Sequence, residues 1–165
     1  MVFPTLQFIG FFAVVLALNG LFWNSKALRK GMLLLASYVF YAAWDPRFVL
    51  LMAFVSLVAW GAGLGVKVPG LRRLSKVLSI VAMLGVLAVF KYFDFFMFQL
   101  QALLQDTAFA RDLTWMTVIL PVGISFYTFQ AVSYVMDVDR GHITPCRNPF
   151  DVALYISFFP QLVAG

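Results

Sequence analysis

Residues 48–66 read FVLLMAFVSLVAWGAGLGV, nineteen positions without a charge between Arg47 and Lys67. At ~1.5 Å per helical residue this run reaches ~28 Å, close to the thickness of a bilayer's hydrocarbon core. It is continuously apolar and does not alternate every second residue, as the wall of an outer-membrane barrel must. Helix is therefore the form that satisfies its backbone from within. Two further stretches, Met1–Ser25 and Leu113–Met136, are uncharged in the same way.

Working outward, the composition agrees. Of 165 residues 63% are apolar and 12% charged, too little polar surface for a soluble domain to cover itself. The first apolar run has no Lys or Arg ahead of it and exceeds the ~7–15 residues of a secretion signal, so it reads as a retained helix. A single cysteine, Cys146, excludes an internal disulfide framework and a CxxC metal site. The net charge of +5 does not point to nucleic acid, because the basic residues sit between hydrophobic segments and form no aromatic-basic face.

Instead the charge describes topology. Lys26, Arg29 and Lys30 follow the first segment, Lys67, Arg72, Arg73 and Lys76 the third, and Arg140 and Arg147 the span ending near Met136. The alternate loops hold only Arg47, in the Trp44-Asp45-Pro46-Arg47 turn, and Arg111, beside Asp106 and Asp112. The positive-inside rule places the richer side in the cytoplasm and the amino terminus outside. The resulting expectation is an all-α, polytopic transmembrane bundle of five to six hydrophobic helices forming one domain over residues 1–165, at about 4–24, 31–44, 48–66, 77–104, 114–137 and from about 150 onward. Tyr41 and Trp44 should anchor the second helix at the interface. The fourth, too long for one span, should cross from Val77 to about Lys91 and then turn along the outer interface, with Lys91 and Asp94 paired three residues apart. The sixth begins near Phe150 and stops after sixteen residues without a cap, so the sequence reads as truncated.

Candidate chemistry concentrates in the fifth helix. Tyr127, Gln130, Tyr134 and Asp137 follow 3-4-3 spacing and share one face. Polar groups at membrane depth require a partner or a water-filled path, so this stripe either hydrogen-bonds other helices or lines a substrate tunnel. Pro121 and Gly123 predict a kinked or broken start to the helix. His142, the sole histidine, lies in the polar Asp139-Arg140-Gly141-His142 loop with no nucleophile near it in sequence, and reads as a solvated loop residue instead of a general base. Cys146 reads as incidental, with acylation of a juxtamembrane cysteine the alternative. No Walker loop, HExxH or GxSxG occurs, and no metal site is expected.

The string Leu120-Pro121-Val122-Gly123-Ile124-Ser125-Phe126-Tyr127-Thr128-Phe129-Gln130, with Tyr134, Asp137 and Arg140-Gly141 after it, resembles the membrane-bound O-acyltransferase family, in particular its bacterial alginate O-acetylase branch. The resemblance continues through Arg147-Asn148, Asp151, Ala153-Leu154-Tyr155 and Ser157-Phe158-Phe159-Pro160-Gln161-Leu162, and includes the earlier blocks Phe40–Phe48 and Phe90–Phe96. It implies a multi-pass enzyme of the bacterial inner membrane that moves an acyl group, usually acetyl, from an activated donor such as acetyl-CoA toward hydroxyls of an extracytoplasmic polysaccharide. No bound cofactor is implied. The implied partners are membrane lipid, extracytoplasmic acetyl-transfer or polymer-export proteins and, indirectly, the polysaccharide acceptor. Family members are well over twice this length, and their catalytic histidine lies in a later helix that His142 does not match. No catalytic residue is carried over, and residues 1–165 alone are expected to be inactive. Tyr127, Gln130 and Tyr134 are the candidates for lining the acyl-transfer tunnel. The alternative class is a transporter or a non-catalytic membrane subunit, where broken helices and midplane polar groups also occur.

Overall fold

The computed structural model describes residues 6–104, 121 and 123–164, and in that range all side chains except those of 94, 100–104, 163 and 164. Among the described residues there are seven helices and no strand: α1 (Leu6–Leu21), α2 (Lys26–Ala42), α3 (Arg47–Gly65), α4 (Arg72–Leu104), α5 (Ile124–Arg140), α6 (Pro149–Ser157) and α7 (Phe159–Ala164). Two segments, Arg47–Gly65 and Arg72–Phe93, are long and apolar enough to cross a membrane, with mean hydropathies of 2.1 and 1.9. α1 is apolar but only sixteen residues long. Large apolar side chains point outward along the bundle, among them Leu50, Leu57, Leu78 and Val81, a surface that water does not solvate.

Local chemistry sets several boundaries. α2 begins five residues before its expected start, because the Ser25 hydroxyl caps it by accepting from Leu28 N–H. In the preceding turn of α3 the Asp45 carboxylate accepts from Arg47 N–H at 2.9 Å. α5 starts where expected for a broken helix: Gly123 takes the left-handed conformation at φ 74°, and the first helical residue is Ile124. The expected stretch 114–120 lies outside the described residues. At the other end Gly141, φ 81°, terminates α5 while His142 N–H bonds to Asp137 O. Asn148 caps α6, with Pro149 at the first helical position, where its missing N–H costs nothing.

Three expectations need correction. The fourth segment does not turn at Lys91; α4 is one uninterrupted helix of 33 residues, since between Lys91 and Leu104 there is no Pro or Gly to interrupt the hydrogen-bond ladder. Tyr41 is not an interfacial anchor: it is 4% exposed and packs edge-on against Tyr127 at 6.2 Å. The sixth segment is two helices, because Pro160 offers no N–H to Ile156 O and its ring clashes with that carbonyl; Phe158 accordingly leaves the helical region at ψ 105°.

α3 sits at the centre and packs on α2, α4, α5 and α6. Its buried stripe Met52, Val55, Ala59 and Ala62 meets Ala131, Val135 and Val138 of α5, Met83 and Leu87 of α4, and Val152 and Ile156 of α6. Small residues allow the close approach typical of helices in lipid. At Gly63 a Cβ would stand 2.8 Å from the Tyr134 ring. A second, aromatic cluster joins α1 and α2 to the helix break: Phe159 meets Phe11 at 5.2 Å and Phe40 at 5.5 Å.

Candidate functional site

Tyr127, Gln130 and Tyr134 are brought together on the inner face of α5, all buried. Tyr127 faces Tyr41 across the α2–α5 contact. The Tyr134 hydroxyl accepts from the Cys146 backbone N–H at 3.0 Å, which ties the loop before α6 to the core. The fourth member of the stripe, Asp137, is near the surface and lies 3.5 Å from His142 Nδ1. The stripe therefore runs from a buried interior to an exposed carboxylate–imidazole pair.

Gln130 sits opposite the break between α6 and α7. In a continuous helix Phe159 N–H would bond to Tyr155 O; the break separates them, and each finds a side chain. Gln130 Nε2 donates to Tyr155 O at 2.9 Å and lies 3.3 Å from Gln161 Oε1. Phe159 N–H donates to Ser37 Oγ at 3.3 Å, and that hydroxyl donates to Leu33 O at 2.9 Å. An unsatisfied backbone group would be costly at this depth, so α5 and α2 together stabilise the break. Thr128 Oγ1, Gln130 Oε1 and Ser157 Oγ are buried without a hydrogen-bond partner among the described residues. Ser37 escaped sequence reasoning because a lone serine in an apolar helix carries no periodic signal.

On the basic side, Asp139 is 8% exposed and receives Arg72 Nε at 2.6 Å and Lys76 Nζ at 2.8 Å, while Arg72 Nη2 bonds to Asp139 O at 2.8 Å. Lys76 first, then Arg72, holds its carboxyl near pKa 2. This cluster joins the start of α4 to the end of α5. The charges are legible in one dimension but their pairing, across more than sixty positions, is not.

A cavity of about 850 Å³ opens between α2, α3 and α6. Tyr127, Gln130 and Tyr134 are not among its lining residues. Lys91 Nζ lies 5.8 Å from the Tyr92 ring centroid; the expected Lys91–Asp94 pair falls outside the described side chains. No group of three His, Cys, Asp or Glu that could hold a metal occurs among the described residues. What the arrangement provides chemically is a wall of buried hydrogen-bonding groups behind a helix break, not a nucleophile with its base.

Comparison with known proteins extends over the whole chain. It is 38% identical over 171 residues to the probable alginate O-acetylase of Pseudomonas aeruginosa, covering 100% of this chain and 32% of that protein. It is 39% identical over 152 residues to the probable alginate O-acetylase of Azotobacter vinelandii, covering 88% and 30%. The peptidoglycan O-acetyltransferase of Helicobacter pylori is 28% identical over 193 residues, covering 99% and 34%. The chain thus spans about a third of the length of these relatives. No family model and no solved structure matches.

Proposed function

We propose that this chain, which belongs to the alginate O-acetylase branch of the membrane-bound O-acyltransferases, forms part of a multi-pass inner-membrane enzyme that transfers acetyl from an activated donor to hydroxyls of an extracytoplasmic polysaccharide such as alginate. The observation that carries the reading is identity of 35–39% to five probable alginate O-acetylases, four of them matched along the entire chain. The amino terminus faces outward and the Lys/Arg-rich loops face the cytoplasm.

In this reading the hydroxyl oxygen of the acceptor attacks the acyl carbonyl, a general base takes its proton, and the donor's leaving group departs. The base is a histidine of a hydrophobic span outside residues 1–165. Residues 1–165 supply wall and scaffold, and Tyr127, Gln130 and Tyr134 border the path, keeping water from the acyl transfer. The unpartnered Oε1 of Gln130 supports its part, since a buried acceptor is completed by a hydroxyl or water donor.

The test is deletion of the complete gene followed by complementation, with polymer-bound acetate and exported polymer quantified together. Acetate should vanish while polymer persists. Unchanged acetate refutes the reading, and loss of export with normal acetylation on residual polymer favours the transporter. In complemented cells, Gln130→Leu should lower acetate per accumulated protein by one to two orders of magnitude, about 1.4–2.8 kcal/mol of transition-state stabilisation; parental acetylation would remove Gln130 from the path.

A further inference from the structure

The cavity between α2, α3 and α6 is a groove of one-leaflet depth. Its α2 wall carries Ala27, Gly31, Leu34 and Tyr38, a helical stripe in which eleven residues separate first from last, or ~16 Å. Half of a ~30 Å hydrocarbon core is about the same. The opposite wall is Ala53 and Leu57 of α3. Tyr38 and Ser56 line it at the end remote from Lys30. Small residues keep the groove open: a Cβ on Gly31 would meet nothing within 4 Å.

The mouth is charged, and on one side only. Lys30 pairs with Asp151 at 2.7 Å, yet its side chain remains 53% exposed. Lys26 and Arg29 share the first turn of α2, Arg29 lies 5.3 Å from the Trp23 ring, and exposed Arg147 precedes the lining residue Asn148. Lys30 and Asp151 are thus the charged residues of the lining, and Lys26, Arg29 and Arg147 each stand one position in sequence from a lining residue on the basic side of the bundle. An apolar trough of leaflet depth below a cationic rim is complementary to an anionic amphiphile, with its phosphate among the lysines and an acyl chain along Gly31.

We propose that this groove binds one anionic phospholipid of the leaflet on the basic side. The inference rests on the chain being membrane-spanning and is independent of the acyl-transfer chemistry. The lipid completes the packing of α6, whose contacts with α2 leave this seam unfilled, and its headgroup offsets the excess positive charge at the rim.

The complete gene product, extracted in mild detergent and delipidated, is titrated with phosphatidylglycerol and, separately, phosphatidylcholine, and bound lipid is counted by native mass spectrometry. The parental protein should retain one phosphatidylglycerol per chain in preference to phosphatidylcholine. Lys30→Gln should reduce that preference about fivefold, the scale of one basic residue at a membrane surface, whereas Lys30→Arg should keep it. Gly31→Phe fills the trough from α2 and Leu57→Trp fills it from α3, so a folding failure of either leaves the other. A folded variant of either kind should lose the retained lipid. The proposal is overturned if the filled variants retain as much lipid as the parent or if the parent shows no preference. It is equally overturned if the parent retains no lipid, which assigns the seam to polypeptide, or if acetyl-CoA displaces the phosphatidylglycerol, which assigns the rim to the donor.

Discussion

Replacing Gln130 with leucine should destabilise the bundle only as long as Pro160 is present. Gln130 Nε2 satisfies Tyr155 O, a carbonyl orphaned because Pro160 breaks the sixth segment. Leaving a buried carbonyl unpaired costs about 1–3 kcal/mol, and interhelical hydrogen bonds measured within membranes average ~0.6 and reach ~1.7 kcal/mol. The gain in apolar contact from leucine offsets part of this, so ~1–2 kcal/mol is expected. In a Pro160→Ala background the ladder can close, Phe159 N–H can return to Tyr155 O, and the same substitution should cost less than ~0.5 kcal/mol, a coupling measurable as a double-mutant cycle. Reversible unfolding of the complete gene product in mixed micelles, titrated with sodium dodecyl sulfate, reads all four corners. An equal cost of Gln130→Leu in both backgrounds would refute the argument that this side chain serves the break.

Three other outcomes follow from geometry already described. Gly63→Val places carbon within 3 Å of a Tyr134 ring pinned by Cys146 N–H; a loss of about 1–3 kcal/mol in the same unfolding assay is expected, largely relieved by Tyr134→Ala, and additive costs would count against the contact. Asp139, held near pKa 2 against an ordinary 3.8, contributes stability that is fully present above about pH 4 and is lost as pH falls toward 2; thermal melts from pH 5 to 3 should decline more steeply for the parent than for Asp139→Asn, and parallel curves would remove the cluster's role. Reporter fusions after Lys30, Lys76 or Arg147 should read cytoplasmic and those after Arg47 or Arg111 external, reversed signals being fatal to the orientation.

Uncharged runs made the helices legible, because apolar length and the absence of charge are local properties: α1 and α3 fall within a few residues of their expected places. The α5 stripe was legible too, since 3-4-3 spacing fixes a common face. What one-dimensional reading could not give was partnership. Asp139 looked like a loop residue until the folded chain placed Arg72 and Lys76 against it. Ser37 and Gln130 acquire their roles from a break 122 positions away from the first and 25 to 31 from the second, and that break depends on Pro160 acting inside a run whose hydrophobicity is continuous. The error at Lys91 had a different origin. Surplus length over bilayer thickness does not itself turn a helix; only a local breaker does, and α4 has none there.

The unbroken α4 has a bearing on the membranes this protein can occupy. Its 33 residues measure ~50 Å, about 20 Å more than a typical hydrocarbon core. Arg72–Phe93 suffices for one crossing, and beyond it Phe95, Phe96 and Phe98 stand 57%, 65% and 69% exposed. In a thicker bilayer this aromatic reserve is covered by acyl chains; in a thinner one it rises among the headgroups, where aromatic rings are tolerated. Hydrophobic mismatch, which a helix cut to length answers by tilting or by deforming lipid, is here absorbed by surplus helix, so function should vary little across reconstituted bilayers of graded chain length.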